Sequence, residues 1–192
     1  MRRRSIRLRE YDYTWPGAHF ITVCTYGQRQ LFGKIAGGCM QISPEGEIIQ
    51  QVWKGLPDLY PNAKSDVFVI MPNHIHGIIL LDAPLVSVGA GLKPAPTSAD
   101  EKSSRRSRHG LPEIVRALKS FSAWRINEYR KALGTPVWQR GYYEHVIRND
   151  ESIDQIRVYI MNNPARWYQD KANRQFRCGH SGVSEEAMPW DA

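Results

Sequence analysis

The amino-acid sequence predicts an α+β fold, in which helices pack on one antiparallel sheet. Three observations predict it: four segments have the composition of β-strands, three segments have apolar residues at helical spacing, and the two types are interspersed along the chain. The 192 residues, of which 42% are hydrophobic and 23% charged, suit one domain that carries an insertion.

The four strand segments are rich in Val, Ile, Thr, Phe and Tyr, and turn residues such as Pro72 and Asn73 separate them. The second and third segments are joined by that turn alone, so they predict a hairpin. The four predicted strands are residues 19–25, 66–71, 74–81 and 142–147.

The three helix segments place their apolar residues three and four positions apart, which gathers them on one helix face. Ser43-Pro44-Glu45 is typical of a helix start, and Ser152-Ile-Asp-Gln155 is a capping box. The residue before a proline avoids the helical region, so we expect the last helix to end at Asn163-Pro164. The three predicted helices are residues 44–60, 112–133 and 152–163.

The order strand, helix, strand, strand, helix, strand is that of the ferredoxin-like βαββαβ fold, to which the last helix is an addition. Both helices of that fold cover one face of the antiparallel sheet, which leaves the other face for a ligand or for the added helix. Residues 83–110 are rich in Pro, Gly, Ser and charge, and they predict a flexible insertion. We expect one domain over residues 1–170 and a C-terminal tail over 171–192.

The composition also restricts the partner and the compartment. The net charge of +7 favours a polyanionic partner such as nucleic acid. No apolar stretch is long enough to span a bilayer, and no apolar run follows the basic N-terminus as in a secretory signal. The three cysteines form no CxxC pair, which is typical of a reducing cytosol. We therefore expect a cytoplasmic protein without a membrane partner.

His74 and His76 are two positions apart on a predicted strand, so both imidazoles lie on one face while Ile75 enters the core. Two neutral imidazoles on a rigid element can share one divalent cation and leave positions open for substrate oxygens. An isolated pair of this kind is more often a half-exposed surface pair. Here the flanking segments are strongly apolar, which predicts a central place in the sheet.

Tyr159 and Asn163 are four positions apart, so they share one surface of the last helix. Taken alone, Tyr159 would be a residue at the edge of the core with its hydroxyl in water, and Asn163 an ordinary helix end. A chemical role for them competes with this interpretation only because the chain also contains the two histidines.

Two segments carry a resemblance to a known family: Met71-Pro-Asn-His-Ile-His-Gly77 and Tyr159-Ile-Met-Asn-Asn-Pro164. Together with residues 19–22, 114–120 and 138–145, they resemble the IS200-like tyrosine transposases and, more narrowly, the REP-associated tyrosine transposases. The resemblance covers about residues 7–168, apart from the insertion. It implies that residues 1–170 form the catalytic domain.

The resemblance also implies roles for individual residues. His74 and His76 match the histidine–hydrophobe–histidine (HUH) motif that binds Mg²⁺ or Mn²⁺, and Asn163 lies where relatives place a third metal ligand. Tyr159 matches the single nucleophilic tyrosine. Such enzymes cleave and rejoin single-stranded DNA next to hairpins of palindromic repeats, through a 5′-phosphotyrosine. Relatives of the insertion-sequence type work as dimers that share sites, whereas the REP-associated ones are more self-contained, so the resemblance leaves both a homodimer and a monomer open.

Basic and aromatic residues outside these motifs are candidates for DNA contacts. Arg116, Lys119 and Arg125 on the second helix, and Arg140 before the fourth strand, could neutralise phosphates. Tyr142 could stack on an unpaired base. Because neighbouring side chains of a strand point to opposite faces, at most one of Tyr142 and Tyr143 should contact DNA on the sheet.

Two other functions stay open. A non-catalytic protein could recognise a DNA or RNA hairpin with the same sheet and leave the tyrosine unused. A replication initiator or relaxase would use the same chemistry, but it resembles this chain only in the two histidines, and the short length disfavours it. Covalent attachment of DNA to Tyr159 would distinguish the enzyme from the binding protein.

Overall fold

The computed structural model describes residues 15–82 and 109–167. In these two ranges, six strands form a four-stranded sheet and a separate two-stranded hairpin, and four α-helices accompany them. The strands are β1 (Gly17–Cys24), β2 (Gly33–Ala36), β3 (Cys39–Ile42), β4 (Ala63–Met71), β5 (His74–Leu81) and β6 (Tyr143–Ile147). The helices are α1 (Pro44–Lys54), α2 (Leu56–Leu59), α3 (Leu111–Tyr129) and α4 (Asp150–Arg166).

The main sheet has the strand order β4-β5-β1-β6, and every neighbouring pair is antiparallel. With α1 and α3 between strands, the chain order is β1, α1, β4, β5, α3, β6. The predicted ferredoxin-like βαββαβ arrangement is therefore confirmed. The predicted insertion, apart from residues 109–110, and the predicted tail lie outside the described residues.

One face of the sheet packs against α1 and α3 and forms the larger core. Ile21, Ile75 and Ile79 of the sheet are buried there beside Trp53 of α1. Gly77 belongs to the same layer: a Cβ at this position would lie 2.5 Å from the Trp53 ring. The glycine that follows His76 thus lets the indole pack directly against strand β5.

The other face of the sheet packs against α4. Ile156 and Ile160 of the helix and Phe20 and Ile78 of the sheet are all 0% exposed, and they form a second core. Of the two occupants expected for this face, the structure therefore shows the added helix. His74, His76 and Ile78 alternate with residues of the first core along β5, so the histidines lie on the α4 side.

The sequence predicts that the last helix ends at Asn163. In the structure, helix α4 instead continues through Pro164 to Arg166. A proline inside a helix costs about 3 kcal/mol, because it lacks one N–H donor and its ring crowds the preceding turn. Burying Ile156 and Ile160 stabilises the helix by about 1.5–3 kcal/mol each. The packing of α4 on the sheet therefore outweighs the local preference of the proline.

Two other helix boundaries differ from the prediction. The expected helix over 44–60 is divided at Gly55 into α1 and α2, because Pro57 has no N–H to continue the hydrogen-bond ladder. Helix α3 ends at Tyr129 rather than at 133. None of the helices in the described ranges is long and apolar enough to cross a membrane.

Candidate metal and tyrosine site

The two histidines lie on β5, which is an inner strand of the sheet between β4 and β1. His74 is opposite Cys24 of β1, and His76 is opposite Thr22. His74 is 3% exposed and His76 is 0% exposed, so the alternative of a half-exposed surface pair does not hold. The prediction of a central place in the sheet is confirmed.

The two imidazoles face each other through their Nε2 atoms, which lie 3.0 Å apart. Each Nδ1 atom, on the other side of its ring, is within hydrogen-bond distance of a polar side chain. Nδ1 of His76 lies 2.8 Å from Oγ1 of Thr22, and Nδ1 of His74 lies 2.7 Å from Oδ1 of Asn73. The polar atoms of the side chains thus form one continuous series, from Asn73 through His74 and His76 to Thr22.

Burial keeps both imidazoles neutral. It lowers the pKa of His74 from 6.5 to about 3, because the charged form would be desolvated. The pKa of His76 is also lowered well below 6.5, first by burial and then by the neighbouring His74. Neutral rings have the free nitrogen lone pairs that metal coordination requires.

Tyr159 of α4 contacts this pair from above the sheet. Its ring centroid lies 5.5 Å from that of His76, at an interplanar angle of 62°. Phe20 fixes the relative position of the two rings, because it stacks on His76 at 5.5 Å and meets Tyr159 edge-on at 6.2 Å. The predicted tyrosine and the predicted histidines therefore come together within one chain.

Asn163 lies one helical turn beyond Tyr159 and is 8% exposed. Trp167, a further turn along, has its ring centroid 6.1 Å from that of His74. Because Tyr159 contacts His76 and Trp167 contacts His74, helix α4 passes both histidines with Asn163 on its buried face. Asn163 therefore belongs to the stretch of α4 between these two ring contacts.

The donors at this site fit a divalent cation. Two cis ligands of an octahedral ion at about 2.1 Å lie about 3.0 Å from each other, and the two Nε2 atoms have this separation. Within the described ranges no third His, Cys, Asp or Glu joins them. Asn163, on the buried face of α4 between the two ring contacts, offers an amide oxygen as a further donor. Two imidazoles in the set favour Mn²⁺ over Mg²⁺.

A second feature is a basic cleft at helix α3, with a volume of about 540 Å³. Arg116, Lys119, Arg140 and Tyr142 line it, so four of the five predicted DNA-binding residues come together, and its three cationic side chains outnumber the one carboxylate of Glu113. Arg125 does not line this cleft. Its guanidinium donates a hydrogen bond of 2.6 Å to Oε1 of Gln51 and so joins α3 to α1.

The residues of the cleft differ in how their polar atoms are used. Nζ of Lys119 donates to the carbonyl oxygens of Gln139 and Gly141, at 2.7 and 3.1 Å, and so holds the segment that carries Arg140. Arg116 and Arg140 are exposed. Tyr142 packs against the first core, so its ring is only partly open to a ligand.

Tyr143 lies on the other side of the sheet from the first core, where its ring meets Phe20 edge-on at 6.1 Å. The two neighbouring tyrosines thus belong to different cores, as the strand alternation predicted. Tyr143 is consequently the second tyrosine near the histidine site, which makes it a natural control for Tyr159.

Four residues of the site were not predicted from the sequence: Thr22, Asn73, Phe20 and Trp167. Asn73 could have been found, because it precedes His74 directly. Thr22 could not, because its position opposite His76 depends on the register between β1 and β5. Trp167 follows the point at which the helix was expected to end.

The fold and the site together define a ferredoxin-like α+β protein with two histidines and one tyrosine on the sheet face opposite its crossover helices. The chain belongs to the same family as an uncharacterised protein of Haemophilus influenzae (strain Rd). The two are 38% identical over 171 residues, which are 88% of this chain and 92% of that protein. No family model matches the chain.

Two solved structures were found to be similar. A candidate transposase from Deinococcus radiodurans R1 has a TM-score of 0.45 and 16% identity, covering 82% of this chain and 97% of that one. A REP-associated tyrosine transposase bound to a REP hairpin has a TM-score of 0.48 and 18% identity, covering 93% of this chain and 92% of that one.

Proposed function

We propose that this protein is a metal-dependent transposase that cleaves and rejoins single-stranded DNA next to hairpins of palindromic repeats. The observation that carries the proposal is the contact of Tyr159 with the buried histidine pair, at 5.5 Å between the rings of Tyr159 and His76. The motifs around these residues resemble those of the IS200-like tyrosine transposases. Neither the contact nor the buried pair is needed for a plain binding protein.

In this proposal His74, His76 and Asn163 hold one Mg²⁺ or Mn²⁺ ion. When bound, the ion supplies Lewis-acid polarisation of the scissile phosphate. The sheet supplies the rigid support for the two nitrogen ligands, and helix α4 supplies the amide oxygen and the tyrosine. The cation ligands and the nucleophile therefore keep a fixed relation as long as α4 stays on the sheet.

Tyr159 is the nucleophile. Its Oη forms a bond with the phosphorus while the bond from phosphorus to the 3′-oxygen breaks. In the net reaction, the phenolic proton is transferred to the leaving 3′-oxygen. The products are a 5′-phosphotyrosine and a 3′-hydroxyl. A 3′-hydroxyl reverses the reaction by attacking the phosphotyrosine, so joining needs no nucleotide cofactor. A phenol with a pKa of about 10 is a weak nucleophile at neutral pH. The reaction therefore depends on the fixed position of Tyr159 relative to the cation ligands.

We also propose that the basic cleft binds the hairpin. The exposed guanidinium groups of Arg116 and Arg140 suit backbone phosphates, because Arg donates in a fork that matches phosphate oxygens. The Lys119 ammonium adds a third positive charge to the same cleft. Phosphate contacts of this kind position a nucleic acid without reading its sequence.

The test is covalent capture of DNA. Single strands with palindromic repeats from the DNA beside the gene are labelled at the 3′ end and incubated with the protein and Mn²⁺. Denaturing gels then report an adduct, which keeps the 3′ label because the tyrosine holds the 5′-phosphate. Tyr159→Phe should abolish the adduct, and the matched control Tyr143→Phe should keep it.

The same assay identifies the alternative functions. Salt-sensitive binding of the hairpin, with no adduct in Mg²⁺ or Mn²⁺, would overturn the enzyme and favour the non-catalytic binding protein. An adduct that persists in Tyr159→Phe would overturn the assignment of the nucleophile. Loss of hairpin binding in Arg116→Ala and Arg140→Ala is expected, with the charge-retaining Arg140→Lys as an intermediate.

A further inference from the structure

The polar partners of the two histidines are a feature that the proposed reaction does not yet use. Thr22 of β1 and Asn73 of the turn before β5 each contact the Nδ1 atom of one ring, at 2.8 and 2.7 Å. Both contacts are on the side of the ring opposite Nε2. A partner at Nδ1 decides which nitrogen carries the proton, and so whether Nε2 has a lone pair to offer.

Asn73 allows only one tautomer of His74. The Oδ1 atom of an amide accepts hydrogen bonds and has no proton to donate. The Nδ1 atom of His74, at 2.7 Å from it, must therefore carry the proton. Because the buried ring is neutral, Nε2 of His74 then presents a lone pair toward His76.

Thr22 allows both tautomers of His76, because a hydroxyl both donates and accepts. Without a cation, a proton is needed between the two Nε2 atoms, since two facing lone pairs 3.0 Å apart repel each other. His76 then carries its proton on Nε2, and the Thr22 hydroxyl donates to Nδ1. With a cation between the rings, Nε2 of His76 must be bare, and Nδ1–H donates to the Thr22 oxygen.

We propose that Thr22 and Asn73 are positioning residues that set the tautomers of the histidine pair, with Asn73 fixing His74 and Thr22 reversing its hydrogen bond when a cation binds. The inference rests on the proposed metal site. The proton balance is closed, because one proton moves from Nε2 to Nδ1 of His76 by exchange with solvent and none is gained or lost.

Strand β1 holds both positioning residues in place. The pairing of β1 with β5 sets Thr22 directly opposite His76. Three residues further on, the backbone N–H of Thr25 donates to the carbonyl oxygen of Asn73 at 2.8 Å. The turn that carries Asn73 is thereby attached to the residue that directly follows the strand that carries Thr22.

The first test is the tautomeric state itself, read from the ¹⁵N chemical shifts of the imidazole nitrogens in the full chain. In the presence of EDTA, we expect His74 to be protonated at Nδ1 and His76 at Nε2. On addition of diamagnetic Mg²⁺, the proton of His76 is expected to move to Nδ1 while His74 stays unchanged. A His76 that already carries its proton on Nδ1 in EDTA would overturn the reversal.

The second test is the affinity for Mn²⁺, measured from the EPR signal of the free ion. Thr22→Val keeps the shape but removes the hydroxyl, and we expect it to weaken Mn²⁺ binding by about 10-fold to 100-fold. Thr22→Ser keeps the hydroxyl and should restore most of the affinity. Asn73→Asp keeps an accepting oxygen, so we expect it to bind Mn²⁺ at least as well as wild type. Asn73→Ala has no accepting oxygen, so we expect it to bind Mn²⁺ more weakly.

These measurements separate the inference from the proposed function. If wild type binds Mn²⁺ and Thr22→Val binds it equally well, the positioning role of Thr22 is wrong while the metal site stands. If Mn²⁺ binds with the expected dependence on Thr22 but no DNA adduct forms, the transposase proposal fails and the inference stands. If wild type binds neither cation, both fail. Should Thr22→Val not fold, the ¹⁵N shifts of wild type and Thr22→Ser still decide.

Discussion

The guanidinium of Arg157 donates two hydrogen bonds to the same carboxylate oxygen of Asp66, from Nε at 3.0 Å and from Nη2 at 2.6 Å. Asp66 lies in β4, where the register with β5 shifts between Ser65 and Phe68. Arg157 lies on α4, two residues before Tyr159. This ion pair therefore joins the helix of the candidate nucleophile to the edge of the sheet that carries the histidines.

We expect Asp66→Asn to lower the free energy of unfolding by about 1 kcal/mol, because the contact is charged but only partly buried. It should also slow adduct formation, since α4 is held less firmly. Asp82→Asn is the matched control, because it breaks the more exposed ion pair with Lys64, in which no residue of α4 takes part. Urea unfolding and the DNA adduct assay give the two readouts, and equal effects of both variants would contradict the role of Asp66.

The contact of Gly77 with Trp53 leads to a second prediction. In Gly77→Ala the new Cβ would overlap the indole ring, so the free energy of unfolding should fall by about 1–3 kcal/mol. Gly141→Ala is the control, because no atom lies within 4 Å of its added Cβ and its stability should be nearly unchanged. Urea unfolding compares the two. If Gly77→Ala is as stable as wild type, Trp53 has another place to pack.

Most of the fold could be predicted from the sequence because its elements have strong local signals. Each strand of the main sheet has an apolar, β-branched composition, and its position was predicted within a few residues. The β2–β3 hairpin was missed, because each of its strands has only four residues. Its turn residues, Gly37 and Gly38, have φ values of 59° and 76°, so a Gly-Gly pair was the signal available.

The candidate site could be predicted only in part. The spacing of His74 and His76 fixes their common face, since the alternation of a strand is local. Their contact with Tyr159 depends on how α4 packs on the sheet, and the hydrogen bond with Thr22 depends on strand register. Neither is a local property of the chain. The resemblance to a known family predicted that Tyr159 acts together with the histidines. The hydrogen bond between Thr22 and His76 became visible only in the structure.

His19 leads to a prediction about acid. It lies on β1, away from the metal ligands of the proposal, and burial lowers its pKa from 6.5 to about 4. Between these values the unfolded chain binds a proton that the folded chain does not, so stability falls as the pH falls through this window. This residue alone should cost about 2 kcal/mol between pH 7 and pH 5.

The measurement for His19 is the free energy of unfolding against pH, in EDTA, for wild type and His19→Leu. His74 and His76 also contribute to the slope of wild type, because burial lowers their pKa values as well. His19→Leu should therefore show a shallower dependence between pH 6.5 and pH 4, by up to one proton. An unchanged slope would mean that His19 takes up its proton without unfolding.

The neighbouring asparagines Asn162 and Asn163 allow the third metal ligand to be tested with a closely matched pair. Asn163 is buried on the face of α4 that meets the sheet, whereas Asn162 is exposed. If the Asn163 amide oxygen is a ligand, Asn163→Ala should weaken Mn²⁺ binding by about 10-fold, or about 1.4 kcal/mol, and Asn162→Ala should leave it unchanged. Isothermal titration with Mn²⁺ gives both values. Equal affinities would exclude the Asn163 amide oxygen as a ligand.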